Sequence, residues 1–129
     1  MGKPARRGRR GVRGAEAGLG AGGPRAGFPT VSLDGEDRLY VVWELFPDRG
    51  GRPRGLGFTA STDGGTTFAA ASTVPGTGDP RDGFNGSQQG LLMRKLAAGA
   101  EGAIAVVNSS FRANEASRVR LFRGQASSG

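Results

Sequence analysis

Apolar and polar residues alternate along much of the chain after Phe28, with the period of two that half-buried β-strands show. This pattern predicts strands over 30–33, 38–45, 56–61 and 67–74. The segments between them are rich in Gly, Asp and Pro, which favour turns and loops. Four strands joined in this way predict one antiparallel sheet, so we expect an all-β fold.

The second half of the chain repeats the first at an offset of 65 residues. The turn segment 34–37 falls on the similar segment 99–102, and apolar residues fall on apolar residues. These pairs are Val31 with Leu96, Leu39 with Ile104, Val41 with Val106, Val42 with Val107, Phe46 with Phe111, and Leu56 with Leu121. The offset also places Asp63 on Ser128, so we expect a second sheet that lacks its last strand.

Composition separates the first residues from the rest of the chain. Residues 1–25 carry seven Lys and Arg against one Glu, and they supply nearly all of the net charge of +7. Large apolar side chains are almost missing there, so we predict a disordered Arg/Gly-rich tail over 1–26. The predicted sheets follow over 27–75 and 91–129, the second of them incomplete, with a connecting loop over 76–90.

The tail has two interpretations. Its Arg residues could neutralise the phosphates of a nucleic acid. Arms that bind RNA usually interleave aromatic residues on which bases stack, and none occurs before Phe28, so nucleic acid is not a favoured partner. The other interpretation is an unselected extension, translated from a misplaced start.

The composition also limits the chemistry. The sequence has no Cys and no His, which excludes disulfides, thiolate nucleophiles and every mechanism that needs an imidazole. We expect no cofactor and no metal ion. No stretch is apolar for long enough to cross a membrane, and no secretory signal peptide is evident, so the sequence assigns no compartment.

The segment between the third and fourth predicted strands has the pattern Ser-x-Asp-x-Gly-x-Thr-aromatic, formed by Ser61, Asp63, Gly65, Thr67 and Phe68. The carboxylate can accept hydrogen bonds from the N–H groups of a turn, and the glycine can adopt a positive φ. The hydroxyls can bond to neighbouring backbone, and the aromatic ring can close the hairpin from below. A generic Gly-Gly hairpin is one alternative, and a calcium loop would need more carboxylates than Asp63 alone.

This segment resembles the Asp-box hairpin of sialidase-like β-propellers, also called the bacterial neuraminidase (BNR) repeat. The resemblance implies about two antiparallel four-stranded blades of a β-propeller, in a protein that binds or hydrolyses glycans. We expect a fragment of an exo-sialidase-like glycoside hydrolase that is inactive alone. The alternative is a non-catalytic Asp-box module that binds glycan or protein. Complete members of the family are often secreted.

The resemblance assigns no catalytic residue to this chain. Sialidases of this family use an arginine triad, a Tyr nucleophile paired with Glu, and an Asp acid/base. The only tyrosine here is Tyr40, which lies inside a predicted strand where an aromatic packing role is expected. The Phe/Tyr-Arg-Ile-Pro motif that carries the first arginine is absent, and Phe111-Arg112-Ala113 matches it only in part.

In the family the Asp-box lies at the end of the blade opposite the ligand. Connections alternate between the two ends of an up-and-down sheet, so the ligand face would carry 45–54, 74–90 and 111–117. The candidate ligand-binding residues in these loops are Arg52, Arg81, Asp82, Asn85, Gln88, Gln89 and Arg112. Their planar polar groups suit sugar hydroxyls and carboxylates. An open sheet also exposes strand edges, through which another chain could pair.

Overall fold

The computed structural model describes residues 25–47, 51–78, 84–85 and 95–125. These residues form two antiparallel β-sheets with one short 3-10 turn, Ala100–Gly102, so the predicted all-β character is confirmed. Within these ranges no helix has the length and apolarity to cross a membrane. The predicted tail 1–26 lies outside the described residues except for its last two, which already belong to the first strand.

The first sheet is a meander of four consecutive strands: β1 (Arg25–Leu33), β2 (Leu39–Phe46), β3 (Leu56–Ser61) and β4 (Ser72–Thr73). β3 has the predicted bounds, and β2 begins and ends one residue later than predicted. β1 is longer than the predicted strand, because its pairing with β2 continues beyond an irregularity between Gly27 and Thr30.

β4 is much shorter than the predicted strand over 67–74. The chain is attached to β3 at Ala69, whose N–H donates to Ala60 O (2.9 Å) and whose carbonyl accepts from Thr59 Oγ1 (2.6 Å). Strand pairing resumes only at Ser72. The intervening residues 69–71 are all alanine, which has a low strand propensity, and this accounts for the interrupted strand.

The second sheet is arranged around a central strand, β7 (Ala103–Phe111). One edge of β7 pairs with β5 (Phe84–Asn85) and β6 (Leu96–Ala98), and the other edge pairs with β8 (Arg118–Gln125). The connecting loop predicted over 76–90 includes the two residues of β5. β5 pairs with the last residues of β7 as the start of β1 pairs with the last residues of β2.

The first hairpins of the two sheets have the same register at the predicted offset of 65. The equivalent strand pairs are Val31 with Val41 and Leu96 with Val106, then Leu33 with Leu39 and Ala98 with Ile104. The turns are closed by one equivalent hydrogen bond, from Asp34 N to Arg38 O (3.1 Å) and from Gly99 N to Ala103 O (2.8 Å). The internal repeat is therefore a repeat of strand pairing as well as of sequence pattern.

The same offset fails in the third strand of the repeat. Leu56 pairs with Glu44, whereas the equivalent of Glu44, Ser109, pairs with Val119 and not with the expected Leu121. The register is displaced by two residues because the connection from β7 to β8 is shorter than the connection from β2 to β3. An even displacement leaves the apolar residues of β8 on the predicted face of the sheet.

The two sheets are stacked head to tail. We define the back face of a sheet as the face that carries Val42 in the first sheet and its equivalent Val107 in the second. The front face is the face that carries Val41 in the first sheet and its equivalent Val106 in the second. The back face of the first sheet packs on the front face of the second, in a core of Val42, Leu56 and Val106 bordered by Phe58, Val74, Leu96 and Phe122. Opposite faces meet, so the sheets follow one another as successive units of a row.

A buried lysine also joins the sheets. Lys95, just before β6, donates from Nζ to the carbonyl of Phe28 in β1 (2.7 Å) and is only 2% exposed. Burial lowers the pKa of Lys95, and the carboxylate of the fully buried Glu44 in β2 partly opposes that change. The contact fixes the start of β6 against the irregular part of β1.

Candidate functional site

The turn between β3 and β4 is built by side-chain hydrogen bonds among four of the five predicted motif residues. Ser61 Oγ accepts from Gly65 N (2.9 Å) and donates to Asp63 Oδ1 (2.8 Å). The same carboxylate accepts from Thr67 N (2.9 Å) through Oδ1 and from the Thr67 hydroxyl (2.6 Å) through Oδ2. Two side chains at the start of the turn therefore hold the backbone that follows them.

The backbone explains the glycine in this turn. Gly65 has a φ of 94°, in the left-handed region that residues with a Cβ rarely adopt. A Cβ there would also lie 3.0 Å from Leu39 Cδ1. Phe68, the aromatic residue of the motif, is half-buried. The Thr67 hydroxyl bonds to the Asp63 carboxylate, where the sequence suggested a bond to backbone.

The hydrogen bonds make Asp63 more acidic than an ordinary aspartate. Donation from the Thr67 hydroxyl and amide, and then from the Ser61 hydroxyl, lowers the pKa of Asp63 from 3.8 to about 2. Both oxygens of the carboxylate already accept hydrogen bonds from these donors. Asp63 is therefore an anion held in place inside the turn. The arrangement is suited to holding the hairpin and not to acid/base catalysis.

A second carboxylate network occupies the turn between β1 and β2. Asp34 Oδ1 accepts from the amides of Glu36 (2.8 Å) and Arg38 (3.0 Å), while Oδ2 accepts from Arg38 Nε (2.7 Å) and the Tyr40 hydroxyl (2.8 Å). Burial alone would raise the pKa of Asp34. The hydrogen bonds, first of all that from Tyr40, outweigh burial and hold the pKa well below its usual range.

This network gives Tyr40 a structural role, as expected from its place in a strand. Its side chain is 1% exposed, and its ring is stacked with that of Phe58, with centroids 6.4 Å apart. Burial, together with the hydrogen bond to Asp34, raises the pKa of Tyr40. Sequence reasoning missed the network. The signal was present, because Asp34 begins a hairpin turn and Tyr40 is the second residue of the strand that follows.

The loop connections lie at the opposite end of the sheets. Thr77 joins them there, since its hydroxyl accepts from Leu56 N (3.0 Å) at the start of β3 and its carbonyl accepts from Asn108 Nδ2 (3.3 Å) near the end of β7. This link was also missed, because nothing in the sequence distinguishes Thr77 from other threonines in loops. It brings residues 51–55, before β3, and the connection 112–117 to the same side of the molecule.

The predicted ligand-binding residues are only partly within the described residues. Arg52 is exposed in the connection before β3, and Arg112 is exposed after β7, where its Nη1 lies 3.3 Å from Glu115 Oε2. Asn85 belongs to β5. The remaining candidates, Arg81, Asp82, Gln88 and Gln89, lie outside the described residues, as does the side chain of Asn85.

Two other features bear on ligands. A cleft of about 550 Å³ opens between β4 and β8, and its walls include Phe58, Val74, Val106 and Phe122. It is mainly apolar and contains none of the predicted ligand residues. Among residues 25–47, 51–78, 84–85 and 95–125, no group of three or more metal-ligating side chains comes together.

Comparison with known proteins gives no family for this chain: neither the models of protein families nor the curated proteins include a match. The likeness to the Asp-box hairpin therefore stands on the residues of the turn and on its position between the third and fourth strands of a sheet.

Proposed function

We propose that this chain forms two adjacent blades of a sialidase-like β-propeller, from an exo-sialidase-like glycoside hydrolase, and that it is inactive by itself. The observation that carries the proposal is the head-to-tail packing of two sheets whose first hairpins have the same strand register. Blades of a propeller repeat around an axis, so each blade presents opposite faces to its two neighbours. The back face of the first sheet against the front face of the second is the contact that such a repeat requires.

The turn at Ser61–Phe68 supports the choice of family. Its Asp63 carboxylate and Ser61 hydroxyl hold the backbone of a connection between a third and a fourth strand, which is the position of an Asp-box in a blade. The same end of the sheet carries the Asp34 network. Both turns are closed by internal hydrogen bonds, which leaves the opposite end for a ligand.

The lack of activity in the isolated chain follows from the state of its tyrosine. Tyr40 is the only tyrosine of the sequence, and a nucleophile must reach the substrate. Its hydroxyl is instead buried and donates to Asp34 at the end of the sheet away from the loops. A hydrolase of this family would take its nucleophile from other blades.

The same observation favours a second candidate, a non-catalytic Asp-box module that binds glycan or protein. In that case the end of the sheets that carries the predicted ligand loops would bind glycan or protein, and no blade would supply a nucleophile. Exposed Arg52 and Arg112 at that end suit an acidic sugar in either case, because a guanidinium can hold a carboxylate through two parallel hydrogen bonds.

The test measures hydrolysis of a fluorogenic sialoside and binding to sialylated glycans by the purified chain. We expect no hydrolysis and measurable binding, weakened roughly tenfold or more when Arg52 and Arg112 are both replaced by alanine. The control is Glu101→Gln, which removes an exposed charge from the turn at the opposite end.

The outcomes separate the candidates. Binding that requires the sialic acid supports an acidic-sugar ligand, which both candidates allow, and equal binding to desialylated glycans favours the non-catalytic module. Hydrolysis by the chain alone would contradict the role given to Tyr40. No binding to any glycan would remove the glycan ligand from both candidates.

A further inference from the structure

The two outer faces of the stacked sheets are complementary to each other. The front face of the first sheet and the back face of the second do not take part in the sheet–sheet core. Each carries exposed apolar side chains: Val31 (61%) and Leu33 (57%) on the first, and Val119 (76%) and Leu121 (61%) on the second. Apolar side chains this exposed on a regular strand call for an explanation.

The strand register supplies that explanation. Val31 is equivalent to Leu96, which lies on the front face of the second sheet and packs against the core between the sheets. Val119 and Leu121 pair with Ser109 and Val107, as Leu56 and Phe58 pair with Glu44 and Val42 on the back face of the first sheet. Leu56 is fully buried. The exposed positions are therefore those that the sheet–sheet core buries one repeat away.

We propose that the chain associates head to tail with a second copy of itself, the back face of the second sheet packing on the front face of the first sheet of the next copy. This contact repeats between molecules the interface that already exists within one. It rests on the two-blade repeat of the proposed function and not on glycan binding. Because the contact is between unlike surfaces, each copy keeps one free face for another copy, until a ring closes.

The strand edges are less suited to self-association than these faces. β8 is an edge strand of eight residues, and it carries Arg118, Arg120 and Arg123. Charged side chains along an edge oppose pairing with an identical edge. The edges of the first sheet are β1, which is interrupted by the irregularity between Gly27 and Thr30, and β4, which has only two residues.

The test is sedimentation velocity of the full chain over about 1 µM to 1 mM, the range of interfaces of moderate affinity. We expect a mass above that of the monomer that rises with concentration. Val31→Glu blocks the front face and Leu121→Glu blocks the back face. Each should weaken association roughly 100-fold, since a carboxylate would be desolvated without a partner.

Mixing the two variants gives the decisive measurement. Leu121→Glu keeps an intact front face and Val31→Glu keeps an intact back face, so an equimolar mixture should form a heterodimer and stop there. Ala113→Glu, in the exposed turn between β7 and β8, is the control and should associate like the wild type. Val119→Glu is a second back-face variant, to be used if circular dichroism shows that Leu121→Glu is misfolded.

Three results would overturn the proposal. The first is a wild-type chain that stays monomeric over the whole range. The second is a Val31→Glu or Leu121→Glu variant that still forms homodimers, as association through like faces or strand edges predicts. The third is a mixture of folded variants that remains monomeric. Glycan binding is measured separately, so either proposal can fail without the other.

Discussion

The first hairpins of the two sheets share a strand register, but the sheets differ in how far equivalent positions are buried. Val42 and Leu56 on the back face of the first sheet are fully buried, while Val119, the register equivalent of Leu56, is 76% exposed. The strand pairing is the same, so pairing alone does not bury these residues. Burial comes from the neighbouring sheet, as in repeat proteins whose units are stabilised mainly by their neighbours.

The turns of the first hairpins differ in a second way. Asp34 binds four donors in the first sheet, whereas its equivalent in the second sheet is Gly99, with no side chain. Both turns keep the backbone hydrogen bond across the hairpin. Side-chain hydrogen bonds therefore stabilise the first turn of the first sheet, whereas the equivalent turn of the second sheet has its backbone hydrogen bond. Equivalent substitutions should lower the free energy of unfolding more in the first sheet than in the second.

The largest difference between the two sheets in the effect of a substitution on stability is expected at a glycine. A Cβ at Gly57 would overlap with the indole of Trp43, which is buried on the paired strand. Gly57→Ala should lower the free energy of unfolding by about 2 to 3 kcal/mol, because the indole must leave its place. Urea unfolding followed by the fluorescence of Trp43, the only tryptophan, measures the change.

The matched control for Gly57→Ala is Gly124→Ala in β8. No atom lies within 4 Å of a Cβ at Gly124, so this substitution should change the free energy of unfolding by less than about 0.5 kcal/mol. Equal losses for the two variants would contradict the close contact between Gly57 and Trp43.

A smaller difference is expected between the two hairpin turns. Asp34→Ala removes the acceptor of four hydrogen bonds and leaves the buried Tyr40 hydroxyl without its partner. Gly99→Ala adds a Cβ whose nearest neighbour is 3.8 Å away, an ordinary contact. We expect Asp34→Ala to lower the urea midpoint clearly, by less than Gly57→Ala does, and Gly99→Ala to leave it nearly unchanged. If Gly99→Ala were the more damaging of the two, the side chains would not be what holds the first turn.

The sequence predicted the parts of this fold that depend on local pattern. The alternation from Leu39 to Leu45 and the turn residues at Asp34-Gly35 and Gly64-Gly65 are local signals, and they located the hairpins. The predicted register of β8 is wrong by two residues. This register depends on the length of the connection from β7 to β8, which an offset of 65 residues does not predict. β5 was missed because a strand of two residues is too short to show a period.

The site was predictable to a similar extent. The hydrogen bonds of Asp63 lie within seven residues of sequence, so residue types and spacing suffice to expect them. Lys95 with Phe28, and Asn108 with Thr77, are far apart in the chain and meet only through the stacking of the sheets. Such contacts are set by tertiary packing, which a single sequence does not reveal.

The smallest predicted effect concerns pH. An aspartate in the unfolded chain has a pKa of 3.8, and the hydrogen bonds from Thr67 and Ser61 lower the pKa of Asp63 in the fold to about 2. The unfolded state therefore binds more protons as the pH falls through this range. The contribution of Asp63 to stability is complete above the unfolded pKa, and it is lost as the pH falls to about 2.

Asp34 adds to the same dependence, since the pKa of its carboxyl is also held below the ordinary value. We expect the urea midpoint of the wild type, followed by Trp43 fluorescence, to fall between pH 4 and pH 2, with a shallower fall in Asp63→Asn. Asp34→Asn with Asp63→Asn should be shallower still. If the urea midpoint of the double variant fell as steeply as that of the wild type, the acid sensitivity would come from other groups. The carboxylates of the two turns would then not be a source of stability that the first sheet has and the second lacks.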